Sequence, residues 1–109
     1  MIEIKEYLDD QGRSPYAKWF HRLNAQAAAK VVTALSRIEQ SNLAKAKGVG
    51  AGVFEYRIDF GPGYRVYFGK DGDTLVILLG GGTKKRQQND SEAAQTLWHA
   101  YKRRKKQET

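Results

Sequence analysis

The chain has 109 residues, with 19 Lys and Arg against 12 Asp and Glu and a formal net charge of +7. That length supports one modest hydrophobic core, and the charge points to a polyanionic partner, nucleic acid before an anionic membrane. Cysteine is absent, so disulfides, thiolate metal sites and cysteine nucleophiles are excluded. The two histidines, His21 and His99, lack a second ligand at metal-binding spacing, and neither a metal nor another cofactor is expected.

Ile2 to Leu8 alternates apolar and polar and reads as a short strand. It does not resemble a secretory signal, and the apolar run Leu75 to Leu79 is far too short to span a bilayer, so a cytoplasmic protein with no membrane partner is expected. Ser14-Pro15 starts a helix, with Ser14 as N-cap and Pro15 at the first helical position. Tyr16, Trp19, Phe20 and Leu23 then line one face at helical spacing. Asn24 ends that helix and caps the next, in which Ala28, Val31, Leu35 and Ile38 recur up to about Glu39.

Gly48-Val49-Gly50-Ala51-Gly52 breaks the pattern, and the period changes to two. Phe54, Tyr56, Ile58 and Phe60 fall on one side of the next strand, and Val53, Glu55, Arg57 and Asp59 on the other. Gly61-Pro62-Gly63 is a turn, Tyr64 to Phe68 resumes the alternation, and Asp71-Gly72 signals a hairpin before the apolar strand Thr74 to Leu79. From Asp90, Ala94, Leu97, Trp98 and Tyr101 define a last helix capped by Asp90 or Asn89. The expected fold is α+β: an N-terminal strand, a helical hairpin, a three-stranded antiparallel meander and a C-terminal helix, with the helices on one face of the sheet. Residues 1–101 form the domain and 102–109 a basic tail.

A three-residue turn sets Phe60 opposite Tyr64, Asp59 opposite Arg65 and Arg57 opposite Tyr67. On that register Glu55, Arg57, Arg65 and Tyr67 project from the face left open by the helices. Lys84 follows the next strand close to the same face, so that Arg57, Arg65 and Lys84 surround one phosphate and stabilise charge building on a phosphorane. RNA supplies its own 2′-OH nucleophile, and cleavage then needs only charge stabilisation, an acid and a base, for which Glu55 and Tyr67 are candidates. Residues 41–109 hold 13 of the 19 basic residues and 7 of the 12 acidic ones. Lys45, Lys47, Lys85, Arg86, Lys102, Arg103 and Arg104 are therefore expected to grip RNA backbone. Gly80-Gly81-Gly82-Thr83-Lys84 lacks the glycine a phosphate loop requires before its lysine, and these glycines read as strand-end punctuation.

The strings F-E-Y-R-I-D-F-G-P-G-Y-R-V-Y-F, Phe54 to Phe68, and L-V-I-L-L-G-G-G-T-K-K, Leu75 to Lys85, resemble the RelE/ParE toxin superfamily. The likeness is greatest to its HigB-like, phage-related branch, often called addiction module killer proteins. The resemblance implies a toxin of a type II toxin–antitoxin module: an endoribonuclease acting on mRNA in the ribosome and neutralised by a cognate helix-turn-helix antitoxin, the complex binding its own promoter DNA. It carries the family's sheet arginines onto Arg57 and Arg65 and its basic residue after the last strand onto Lys84. Thr83 and Ser91 depart from the family pattern, and Tyr101 lies in the apolar stripe of the last helix. Two further readings share the same features: a ParE-like inhibitor of DNA gyrase, and a non-catalytic nucleic-acid-binding module.

Overall fold

The computed structural model describes residues 1–108. Strand β1 (Glu3–Glu6) is followed by helices α1 (Pro15–Phe20) and α2 (Ala25–Glu39). Strands β2 (Ala46–Gly50), β3 (Val53–Ile58), β4 (Tyr64–Asp71) and β5 (Leu75–Thr83) come next, then a single 3-10 turn (Lys84–Arg86) and helix α3 (Gln87–Glu108). The caps are those the sequence specifies. Ser14 Oγ accepts from the Ala17 N–H at 3.0 Å, and Asn24 Oδ1 from the Ala27 N–H at 2.9 Å, each answering a helix-end donor.

The five strands form one sheet in the order β1-β5-β4-β3-β2. β1 runs parallel to β5, and β2 to β5 form an antiparallel meander. The α+β class is as expected, but the helices occupy both faces. Trp19, Val31, Ala34 and Ile38 of α1 and α2 pack with Tyr56, Ile58, Val66, Phe68, Val76 and Leu78. Ala94 and Trp98 of α3 pack with Val53, Tyr67, Ile77 and Leu79 on the other side. The face expected to be open thus lies under α3, because Val53, Tyr67 and Ile77 need the same cover that α3's apolar stripe needs.

Four other features also differ. The meander has four strands, since the glycine-broken stretch supplies β2, an edge strand paired with β3. The β3–β4 register is displaced by two residues: Ile58 faces Tyr64, Arg57 faces Arg65 and Glu55 faces Tyr67. The connecting loop is correspondingly longer than three residues, and a shift of two keeps every side chain on its face. β5 runs on through Gly80, Gly81 and Gly82, which are strand residues rather than punctuation. Finally, α3 begins at Gln87 rather than Asp90 and continues to Glu108, so residues 102–108 of the expected basic tail form its last turns, and residue 109 lies outside the described residues.

A bulge orients the end of β5. Tyr67 pairs with Gly80 and Phe68 with Leu78, leaving Leu79 unpaired as the extra residue. Before the bulge Val76 and Leu78 face α1 and α2; after it Gly82 faces α3, where an added Cβ would strike the Asp90 carboxylate. Gly81 faces the other way, with the Trp19 ring flat against its backbone. The bulge therefore turns Lys84, two residues beyond Gly82, toward the face that carries Glu55 and Arg65.

Candidate nucleic-acid interface

Period-two alternation in β3 and β4 sends Glu55, Arg57, Arg65 and Tyr67 to one face. Glu55 is 1 % exposed, Arg65 6 % and Tyr67 0 %. Around the Glu55 carboxylate, Gln87 Nε2 donates to both oxygens at 2.8 and 3.1 Å, and the Tyr67 hydroxyl donates to Oε1 at 3.5 Å. Arg65 Nε stands 3.4 Å from Oε1 and Lys47 Nζ 3.7 Å from Oε2. The Arg65 Nε contact is a charge pairing without hydrogen-bond geometry, while its Nη1 donates to the Gly63 carbonyl at 2.6 Å.

Both candidate acid/base residues, Glu55 and Tyr67, are thus buried and hydrogen-bonded within the protein. Burial, with the Glu55 charge adding to it, pushes the Tyr67 hydroxyl well above the ordinary tyrosine value, so it keeps its proton. Both groups contact Gln87 at the start of α3, Glu55 through the Gln87 side chain and Tyr67 through its carbonyl. Gln87 itself was not singled out by the sequence; its only signal is its position just after a basic turn.

Above the buried cluster runs a groove of about 630 Å³, lined among others by Lys47, Lys84, Lys85, Gln87, Ser91 and Glu92. Lys84 adjoins Arg65: an added Cβ on Gly63 would lie 2.9 Å from Arg65 Nη1 and 3.3 Å from Lys84 Cβ. Neither Lys84 nor Lys85 has a side-chain partner among the described residues. Glu92 is the carboxylate that borders the groove, and it accepts from Gln88 at 3.1 Å.

Of the three cations expected around one phosphate, Arg65 and Lys84 are brought together. Arg57 is Arg65's neighbour across the strands, but its exposed guanidinium turns to Asp59 at 3.3 Å, on the far side from the groove. The expected Asp59–Arg65 opposition does not occur. Lys45 also pairs with Asp59, at 3.6 Å, and Arg86 with Asp90 at 3.9 Å. In α3, Lys102 lies 5.9 Å over the Trp98 ring. Arg104 is engaged structurally, donating to the Leu8 carbonyl at 2.7 Å and pairing with Asp10 at 3.1 Å. Lys105 pairs with Asp71, which also accepts from the Tyr101 hydroxyl. Arg103 remains exposed. Among the described residues, no helix is long and apolar enough to cross a membrane.

Residues 18–105 match the family model described as Phage derived protein Gp49-like (DUF891). The chain is 41 % identical over 83 residues to an uncharacterised protein of Haemophilus influenzae, an alignment covering 75 % of this chain and 84 % of that protein.

Proposed function

The chain belongs to the Gp49-like family of phage-derived proteins, and on that footing we propose that it is the toxin of a type II toxin–antitoxin module, an endonuclease that cuts mRNA on the ribosome. Its resemblance to HigB-like members of the RelE/ParE superfamily supports this reading. So does one observation above the others: two lysines without a side-chain partner among the described residues, Lys84 and Lys85, border a groove that is also lined by Gln87, the residue that holds the buried Glu55 carboxylate. A helix-turn-helix antitoxin, whose complex binds promoter DNA, and a cytoplasmic location follow from the same resemblance.

In this reading the RNA 2′-OH attacks the adjacent phosphorus, the P–O5′ bond breaks, and the 5′-oxygen of the next nucleotide leaves as a hydroxyl after taking a proton from solvent water. Lys84 neutralises the charge that builds on the phosphorane, with Arg65 behind it contributing through its field rather than a bidentate contact. Glu92, in the groove, takes over from the buried Glu55 as the group that accepts the 2′-OH proton. Lys47 and Lys85 hold flanking phosphates.

The test is mRNA integrity in a cell-free translation reaction. Wild-type protein is expected to stop translation with cut mRNA, and Lys84→Ala to reduce the cutting rate by about 10²-fold or more, the usual cost of removing one charge-stabilising group. Arrest with intact mRNA and poisoned gyrase would replace the nuclease reading with the gyrase one. Unchanged cutting by Lys84→Ala would remove Lys84 from the site.

A further inference from the structure

A second concave site lies on the α2 side of the sheet, between α2 and the end of β3. It encloses about 260 Å³ and is bordered by Lys30, Arg37, Lys45 and Arg57, with Tyr56 in its floor. Four cations here share one carboxylate: Asp59 takes Arg57 at 3.3 Å and Lys45 at 3.6 Å. Arg37 has no partner among the described residues, and Lys30 has only the face of the Phe60 ring, 5.3 Å from its centroid. Like charges gathered this way repel one another unless an anion joins them.

The shape suits an anion as well. Lys30 and Arg37 are seven residues apart on α2, two turns or about 10 Å along one face. Between them the short side chains of Thr33 and Ala34 leave the space open. The Tyr56 hydroxyl has no hydrogen-bond partner among the described residues and, though the residue is largely buried, is not itself a fully buried atom, so it is free to donate. A phosphate oxygen entering the cleft would accept from it.

We infer that this cleft is a second phosphodiester-binding site, in which Lys30, Arg37 and the Tyr56 hydroxyl hold the backbone of single-stranded RNA outside the cutting groove. The inference rests on the RNA reading above and extends it. The two sites are joined at the β2–β3 edge: Lys45 borders the cleft and Lys47 the groove, two residues or about 7 Å apart. A strand crossing that edge passes from one group of cations to the next. Arg57, expected at the reacting phosphate, belongs to this second site. The cleft is too small for a helix, and its ring-lined floor suits one phosphate with its sugar.

The experiment uses the full chain and a labelled 2′-O-methyl oligoribonucleotide, which cannot be cut, with binding followed by anisotropy across salt concentrations. The Lys30→Ala/Arg37→Ala variant is expected to bind more weakly on every sequence. Its slope of log affinity against log salt should be shallower by about 1.4, roughly 0.7 for each lost contact to a single strand. Tyr56→Phe should weaken binding about fivefold, the worth of one neutral hydrogen bond, with the slope unchanged. Alanine suits both exposed α2 positions, so folding is preserved, and thermal unfolding checks it. Lys18→Ala/Arg22→Ala removes equal charge away from the cleft and should leave the slope nearer that of wild type.

Wild-type slope and affinity in the α2 variant would overturn the inference, as would an equal loss in the Lys18/Arg22 control. Loss of binding to an oligoaspartate peptide, with RNA binding intact, would assign the cleft to an acidic protein segment instead. The two readings fail separately. A shifted slope from a protein that cuts no mRNA removes the nuclease alone, and cutting that depends on Lys84 with an unshifted slope removes the cleft alone.

Discussion

A carboxylate taken out of water costs several kcal/mol unless other groups answer its charge and lone pairs. Glu55 is answered by Gln87, Tyr67, Arg65 and Lys47, which together span β2, β4 and the first turn of α3. Breaking that set from one side leaves a buried charge. Arg65→Ala is therefore expected to lower stability by about 3–5 kcal/mol, and Glu55→Leu/Arg65→Met to lose less than the single variant. Urea unfolding midpoints measure both, and a loss below about 1 kcal/mol for Arg65→Ala would mean the pair is not a structural anchor. Functional loss in an Arg65 variant is thus ambiguous, which is why Lys84 is the better probe of the groove. Period two was enough to put these residues on one face from sequence. Their burial was not legible, because it depends on where α3 docks, and no local pattern encodes that contact.

The strands and helices meet through two ring-on-backbone contacts. Trp19 lies on Gly81 from the α1 side, and Trp98 on Gly69 from the α3 side. Each glycine leaves room for an indole that a methyl group would displace. Gly81→Ala is expected to cost about 1–3 kcal/mol through overpacking, read as a lower thermal midpoint; an unchanged midpoint would show that Trp19 repacks freely. These contacts explain why three consecutive glycines read as an ending when they are the continuation of β5. β2 escaped for a related reason, since Ala46-Lys47-Gly48-Val49-Gly50 has weak strand propensity and is held by its pairing to β3. The helix caps, by contrast, are local interactions, and Ser14 and Asn24 were legible from their own neighbours. The bulge at Leu79 has no local signature, although it decides which way Lys84 points.

Across the protein, the charge of +7 divides by use. Arg104 and Lys105 tie the end of α3 to Asp10 and Asp71, whereas Lys84 and Lys85 at the groove and Lys30 and Arg37 at the α2 cleft have no carboxylate partner among the described residues. The packing of α1 and α3 on the sheet also sets a pH response. Burial, reinforced by the hydrogen bond to Asp71, pushes Tyr101 up to about 12, and burial raises Tyr16 to about 12. Neutral tyrosine is the form that the fold favours. This stability is fully present below the ordinary tyrosine value of 10.0 and is lost as pH rises from there through about 12. Urea midpoints should hold between pH 8 and about 9.5 and fall above pH 10; a flat profile to pH 12 would mean these hydroxyls ionise freely in the folded state.

The reading of this protein as an RNA-cutting toxin stands or falls on the ends of the fragments. Attack by the 2′-OH leaves a 2′,3′-cyclic phosphate on one fragment and a 5′-hydroxyl on the next. Mapping mRNA fragments from a translation reaction should find those ends with wild-type protein and lose them with Lys84→Ala. Uncut mRNA, or fragments bearing 5′-phosphates from attack by water, would be incompatible with the proposed chemistry.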